Sequence, residues 1–350
     1  MTSAQDEEDT LYPALRNYWH PVAYASQLAD RPLGVTLLDQ AIVVFRQSDA
    51  LIAMADRCVH RSAKLSLGRV VAEGIECAYH GWRYDASGRC TIIPASPELT
   101  ASVKSIIPTY RVTEAAGIVW VCLGEPRAPV PAFPEFDSPG YRLLQGLAYD
   151  WRTSAARRLE NFCDFAHFSF IHEGTLGSRA HATVQPVETW REDHVLRVRR
   201  GGILEPSAGF KKALLGITEA WIAPINEYHI TLPHTVHLER IFPNGKRYAL
   251  LMAASPVSAD RTRSFWWQAR DFGTEPEHDA AFLGFEHKIL AEDLEVVESQ
   301  RPAWIPLRSG EVSITPGDQV SIAYRRALRE IAMDDRRERL AQDKTREGSA

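Results

Sequence analysis

The first third of the chain alternates short hydrophobic runs with turn residues. Ile42–Arg46, Leu51–Ala55, Arg69–Ala72, Tyr110–Thr113 and Ile118–Leu123 have the length and the β-branched and aromatic content of strands. Ala115-Ala116-Gly117 separates the last two as a turn, and Asp85-Ala86-Ser87-Gly88 marks another hairpin. These runs predict a small all-β module over 17–125. Pro126, Pro129, Pro131, Pro134 and Pro139 follow, a density that rules out regular structure and marks a linker over 126–145. Residues 146–350 then read as a second domain. It begins with a strand over Gly146–Thr153 and a helix from Ala155 to Phe170. Strands follow over Thr183–Arg200, Ile217–Ala223, Tyr228–Phe242, Arg247–Ala254 and Arg263–Arg270, and helices over Glu275–Gln300 and Gln319–Arg339. Grouped strands with helices at the ends predict an antiparallel sheet with packed helices, an α+β layout. No internal repeat or low-complexity block interrupts this plan.

Composition narrows the partners. Apolar residues make up 45% and charged residues 24%, an ordinary globular balance. The formal net charge of −5 argues against nucleic acid or an anionic membrane as a partner. Asp6, Glu7, Glu8 and Asp9 do not suit a secretory signal or a mitochondrial presequence, and Ile118–Leu123 and Tyr248–Ala254 are too short to span a bilayer. A cytoplasmic location is expected. An odd cysteine count, five, fits a disulfide framework poorly and favours metal ligands or reactive thiols.

Spacing separates these cysteines. Cys58-Val59-His60 and Cys77-Ala78-Tyr79-His80 each bring one thiolate and one imidazole, in turns between β runs. A Rieske [2Fe–2S] centre uses this set, two cysteines on one iron and two histidines on the other. A Cys₂His₂ zinc site uses the same residue types, but zinc fingers usually keep cysteines with cysteines and histidines with histidines. Core cysteines beside solvent-facing histidines are the plainest alternative. Cys90, Cys122 and Cys163 match no ligand position and read as buried small hydrophobes.

A second constellation runs from Asn161 through Asp164 and His167 to His172. On a helix Asp164 and His167 share a face. His167 and His172 would stand about 140° apart at ~100° per residue. For both to reach one metal the helix must end, widen or loosen between them. Phe168, Ser169, Phe170 and Ile171 would then wall an apolar chamber. Two histidines need one carboxylate to form a facial triad that leaves positions open for O₂ on Fe(II). Glu292, Asp293 and Glu295 are the downstream candidates. A core histidine on a Phe-rich helix and solvated late carboxylates are the bland alternative. Arg157 and Arg158 fit either pairing with surface acids or contact with a substrate anion.

Cys58-Val59-His60-Arg61 and Cys77-Ala78-Tyr79-His80-Gly81-Trp82 resemble the paired loops of the Rieske non-haem iron oxygenases. The likeness runs from Asn17-Tyr18-Trp19-His20 to Ser321–Arg326, and is closest to members that act without a separate β subunit. Asp56–Gly68 and Ile171–Leu176 look like the purine-alkaloid N-demethylases. Val121–Gly124 and Gln300–Pro302 look more like saxitoxin-pathway hydroxylases and toluenesulfonate methyl-monooxygenases. The resemblance implies a small all-β Rieske domain followed by an antiparallel-sheet, helix-grip (START-like) catalytic domain. It implies a [2Fe–2S] cluster on Cys58, His60, Cys77 and His80, and a mononuclear Fe(II) on His167, His172 and Asp293. Asp164 would join the cluster of one subunit to the iron of its neighbour in a homotrimer, and Asn161 would stand beside the iron. The segment expected to shape the pocket is Thr175–Leu238.

The implied activity is monooxygenation of a small molecule, by hydroxylation or oxidative demethylation. A cis-dihydroxylating dioxygenase and a non-catalytic electron-transfer or ligand-binding protein are the alternatives. The chain has no dinucleotide fingerprint and no plant-type ferredoxin cysteine run. Electrons from NAD(P)H are therefore expected only through a separate flavin reductase, with or without a ferredoxin, docking near His60 and His80.

Overall fold

The computed structural model describes residues 11–28, 31–184, 186–200, 204–207, 210–307 and 315–347. The chain divides into two compact units, Arg16–Val130 and Pro131–Ala350, the second also taking in Met1–Leu15.

The first unit holds two antiparallel sheets. One has six strands in the order His20–Tyr24, Ile118–Cys122, Thr109–Ala115, Ala50–Ala55, Gln40–Gln47 and Leu33–Leu37. The hairpin at 115–118 closes through Ala116 and Gly117, both at positive φ, the conformation that matches strand twist. The other sheet has four short strands, Arg69–Val71, Gly74–Glu76, Arg83–Tyr84 and Cys90–Ile92. The strands expected from the sequence are present within a residue or two. His20–Tyr24, Leu33–Leu37 and Gly74–Glu76, too short or too mixed for a periodicity signal, complete the sheets. Asp85 shapes its turn by accepting from the Ser87 and Arg89 amides (2.8 and 3.1 Å).

The second unit is built on an eight-stranded antiparallel sheet. Along it run Arg142–Gln145, Arg261–Arg270, Arg247–Ser258, Thr235–Ile241, Ile225–Thr231, Val195–Arg200 and Glu188–Glu192, with Tyr149–Trp151 also paired to Arg261–Arg270. Ile225–Thr231 buries alternate residues, Asn226, Tyr228 and Ile230, as a strand with one covered face must. Among the described residues, α1 (Ala155–Cys163), α2 (Asp279–Ser299) and α3 (Gln319–Glu347) accompany the sheet, with a shorter helix at Phe210–Leu215. α1 packs on Arg247–Ser258 and Arg261–Arg270 as well as on α2 and α3, so nearly all its residues are buried. This is the α+β architecture expected. No helix among the described residues is long and apolar enough to cross a membrane.

Several boundaries differ from the pattern. The stretch expected as one strand to Arg200 is a hairpin turning at Asp193, which adopts positive φ, and Tyr228–Phe242 folds back at Leu232-Pro233-His234. Periodicity does not register a reversal made by so few residues. Ile217–Ala223 yields only Trp221–Ile222, bounded by Gly216 at positive φ and by Pro224. The proline-rich passage is not devoid of structure: it makes a 3₁₀ turn at Pro134–Asp137 and ends in the strand Arg142–Gln145. Helix α1 stops seven residues early, and that stop builds the second site.

Candidate metal centres

In the first unit, two loops present the Cys-x-His and Cys-x-x-His elements. Cys58 N–H donates to Ala63 O and Ser62 N–H to Cys58 O, while Cys77 N–H donates to Trp82 O and Gly81 N–H to Cys77 O (2.8–3.0 Å). Ser62 and Gly81 both take positive φ to close these turns. The two thiols are 2% exposed and enter the core beside Phe45, Met54 and Ile75. Burial raises the Cys77 thiol, and Cys58, within hydrogen-bond reach, adds to the rise. The imidazoles lie at the surface. His60 and His80 are exposed, with ring centroids 4.6 Å apart, and His60 stacks on Trp82 at 4.6 Å. Converging buried sulfurs beneath paired exposed imidazoles match the donor set of a Rieske cluster. The Tyr84 hydroxyl, 3.0 Å from Cys58 Sγ, adds a hydrogen bond on the sulfur side.

In the second unit, Ser154 caps α1 by accepting from Arg157 N–H, and the helix ends at Cys163. Asp164 is extended (φ −76°, ψ 136°), and its Oδ1 accepts from the Ala166 amide at 2.8 Å. A side chain that satisfies a backbone donor in this way offers the chain an alternative to helix. Ala166–Ser169 then form a 3₁₀ turn carrying His167, and the following turn carries His172. The expected single helix from Ala155 to Phe170 is therefore replaced by a helix, a cap and a tight turn. Asp164 and His167 meet across that cap rather than along a helix face.

The three candidates converge. His172 Nε2 lies 3.2 Å and His167 Nε2 3.5 Å from Asp293 Oδ1, and donor atoms of all three fall within 4.8 Å of one another. At the far side of each ring a second carboxylate waits: Asp164 Oδ2 is 3.2 Å from His167 Nδ1, and Glu292 Oε2 is 2.8 Å from His172 Nδ1. Glu292 thus backs a histidine instead of joining the cluster, and Glu295 is exposed. Burial works against charge on His172, yet Asp293 and Glu292 prevail and raise its pKa. Burial likewise opposes charge on Asp293, and His172 and His167 prevail to lower it. Two imidazole nitrogens and a carboxylate oxygen brought together, with a further carboxylate behind each ring, fit a facial triad.

Beside the triad lies a cavity of about 80 Å³. Phe168, Leu176, Leu238, Leu250, Ile289 and Leu290 give it apolar walls. Of the four residues expected there, only Phe168 takes part. Ser169 is buried against His181 O, Phe170 lies outside beneath Arg179, and Ile171 lines a second space, a groove of about 720 Å³ that Asp164, His167 and Asp293 also border. Asn161 borders both spaces, its Oδ1 accepting from Arg158 at 2.8 Å. Arg157 and Arg158 are held in the interior of the second unit. Both are buried, Arg157 on Glu160 and the Trp304 carbonyl, Arg158 on Tyr149 and over the Trp151 ring. Cys122 and Cys163 are buried as expected, whereas Cys90 is only half-buried.

The cavity also has a polar wall that the sequence pattern does not announce. Arg240, Asn226, Tyr248 and Glu286 line it, with Glu205, Lys211 and Gln268 behind. One signal does lie in the sequence. Glu286 and Leu290 precede Asp293 by seven and three residues, which puts them on its face of α2.

Residues 18–111 match the Rieske [2Fe-2S] domain, and residues 151–334 match the vanillate O-demethylase oxygenase C-terminal domain. The chain belongs to the Rieske non-haem iron oxygenases: it is a terminal oxygenase with a [2Fe–2S] cluster and a mononuclear iron, and it carries out O₂-dependent hydroxylation or demethylation. Within that family it is similar to the methylxanthine N3-demethylase of Pseudomonas putida, 36% identical over 93% of this chain and 91% of the relative. The methylxanthine N1-demethylase of the same organism is 33% identical over 91% and 89%. The solved structure of that N1-demethylase (NdmA) with caffeine superposes with a TM-score of 0.81 at 32% identity, covering 93% of each chain.

Proposed function

We propose that this oxygenase removes a methyl group from nitrogen in a small, flat heterocycle. One observation carries the reading: a small apolar cavity opens onto the His167, His172 and Asp293 donors in a chain that is 36% identical to a methylxanthine N-demethylase. The proposed iron ligands are His167, His172 and Asp293, and the proposed cluster ligands are Cys58, His60, Cys77 and His80. The proposed domains are 17–125 and 146–350 with 126–145 between them, the last strand of that passage, Arg142–Gln145, pairing into the sheet of the second.

When bound, the two metal centres supply one-electron delivery and dioxygen reduction. Overall, one oxygen atom enters an N-methyl C–H bond and the other leaves as water, with two electrons and two protons consumed. The N-hydroxymethyl product then breaks its C–N bond to release formaldehyde and the N–H heterocycle. The chain's own residues prepare this. Glu292 and Asp164 hold the Nδ1 protons of His172 and His167, which turns both Nε2 lone pairs toward Asp293. The aliphatic plates hold a flat ring and exclude bulk water.

The partners follow from the family resemblance. A separate flavin reductase, with or without a ferredoxin, supplies electrons near His60 and His80. The working unit is a cytoplasmic homotrimer in which Asp164 connects the iron to a neighbouring subunit's cluster, with Asn161 beside the iron. The test is iron content and electron paramagnetic resonance of anaerobically purified, dithionite-reduced protein, followed by a formaldehyde screen with N-methyl heterocycles. Three irons per chain, a Rieske-type signal and formaldehyde release are expected. Hydroxylated product without formaldehyde from every substrate turned over would replace demethylation with hydroxylation.

A further inference from the structure

Helix α1 brings a polar pair up to the triad before it ends. Arg158 and Asn161 stand three apart on one face of the helix, and Arg158 Nη1 donates to Asn161 Oδ1 at 2.8 Å. The guanidinium is 2% exposed and is fixed from its other side, where Nε donates to the Tyr149 hydroxyl at 2.9 Å. It lies over the Trp151 ring at 4.6 Å and near the rings of Phe162 and Tyr149 at 5.5 and 5.6 Å. An arginine this deep is ordinarily paired with a carboxylate. Among the described residues Arg158 has none, and aromatic faces and neutral oxygens hold it instead.

What this guanidinium settles is the sense of the Asn161 amide. Asn161 borders both the cavity and the groove, as His167 and Asp293 do, so its carboxamide stands where the two spaces meet beside the proposed metal ligands. Guanidinium N–H groups only donate, so the amide atom facing Arg158 is the oxygen. The Nδ2 group, with its two N–H bonds, is turned away, and among the described residues no protein group accepts from it. An amide free to turn over would present its carbonyl oxygen instead. That oxygen repels an anion and can itself fill an open metal position.

We propose that Arg158 is a positioning residue that locks the Asn161 carboxamide with its N–H bonds toward the triad, as a hydrogen-bond donor for a small anionic co-substrate. Dioxygen that has taken up electrons belongs to that chemical class, and a preset donor beside it acts as an oxyanion hole does. The inference rests on the assignment of iron to His167, His172 and Asp293, and is independent of which heterocycle is demethylated.

The experiment titrates the oxidised holoenzyme with azide and follows the mononuclear ferric signal by electron paramagnetic resonance. Rieske irons have no open position, so azide reports on the other site. Arg158→Met and Asn161→Leu should each raise the azide Kd about tenfold, the effect of one hydrogen bond to a charged acceptor. The double variant should go no further than either alone, because Arg158 acts through Asn161. Asn161→Asp still accepts from Arg158 but turns an oxygen toward the triad, and should weaken azide at least as much as Asn161→Leu. That variant leaves the guanidinium partnered and carries the test if Arg158→Met disturbs the helix. In turnover, kcat should fall and hydrogen peroxide per O₂ consumed should rise, with KM for the heterocycle within about twofold of wild type. Three irons per chain with an unchanged azide Kd in Asn161→Leu or Asn161→Asp would overturn the inference while the triad stood. A double variant weakened about a hundredfold would also overturn it, since Arg158 would then act by its own charge. Two irons per chain in the wild type would sink the triad assignment instead.

Discussion

Each histidine of the proposed triad is held between two carboxylates, and the outer pair are as consequential as the inner one. Glu292, 2.8 Å from His172 Nδ1, fixes which nitrogen is left to bind metal. Glu292→Gln should weaken mononuclear iron about 10- to 100-fold, seen as iron falling from three toward two per chain under chelator challenge while the Rieske signal persists. Retention of the third iron at wild-type affinity would reduce Glu292 to a surface charge. In the first unit, the Tyr84 hydroxyl on Cys58 Sγ stabilises the more negative, reduced form of a cluster held there. Tyr84→Phe should lower the cluster's reduction potential in a voltammetric titration, and an unchanged potential would show that this contact does not tune it.

At the scale of elements, the second site depends on where α1 stops. The turn that carries His167 is buttressed from behind by Gly177, where an added Cβ would lie 2.8 Å from the Phe168 carbonyl and the Ser169 amide. Gly177→Ala must push that backbone, and is expected to cut mononuclear iron occupancy while leaving the cluster intact. Full occupancy would mean that the turn yields without moving His167. A different element pairing governs pH dependence. His229 faces His237 across the ladder of Ile225–Thr231 and Thr235–Ile241, with Arg197 on its other side and Glu135 and Glu192 nearby. Burial, then His237 and Arg197, lower its pKa to about 4 from 6.5. Because the folded pKa lies below the unfolded one, its contribution to stability is intact above about pH 6.5 and is lost as pH falls toward about 4. Tm of the wild type should therefore fall more steeply between about pH 7 and about pH 5 than that of His229→Gln. Parallel curves would clear His229 of the effect.

At the scale of the whole molecule, the proposed trimer makes a complementation experiment decisive. Cys58→Ser removes the cluster from one chain and His172→Ala removes the iron from another. Neither variant alone should turn over. Mixed oligomers, made by coexpression, should recover part of the formaldehyde release if electrons pass from the cluster of one subunit to the iron of the next. Mixed oligomers as inactive as either parent would mean that transfer stays within a chain.

The residues proposed to do the chemistry are legible in the amino-acid sequence because spacing singles them out: two Cys/His pairs in turns, and His167 and His172 close behind Asp164. The α+β layout is legible for a related reason, since long strands and helices impose their periods on the chain. Hairpins at Asp193 and at Leu232–His234 are not, because a reversal of two or three residues leaves the surrounding alternation intact. Choosing among Glu292, Asp293 and Glu295 takes the tertiary fold. Adjacent carboxylates on a helix look alike in sequence, and only packing turns Asp293 to both Nε2 atoms, Glu292 to Nδ1 of His172 and Glu295 to solvent. The polar wall of the cavity is the least visible of all. Glu205, Arg240, Tyr248, Gln268 and Glu286 come from separate strands and a helix, and what joins them is burial, which makes each find a partner across the fold. The cysteines and histidines proposed to bind metal are a property of local sequence; the choice of carboxylate, and the shape and polarity of the space beside it, are properties of long-range packing.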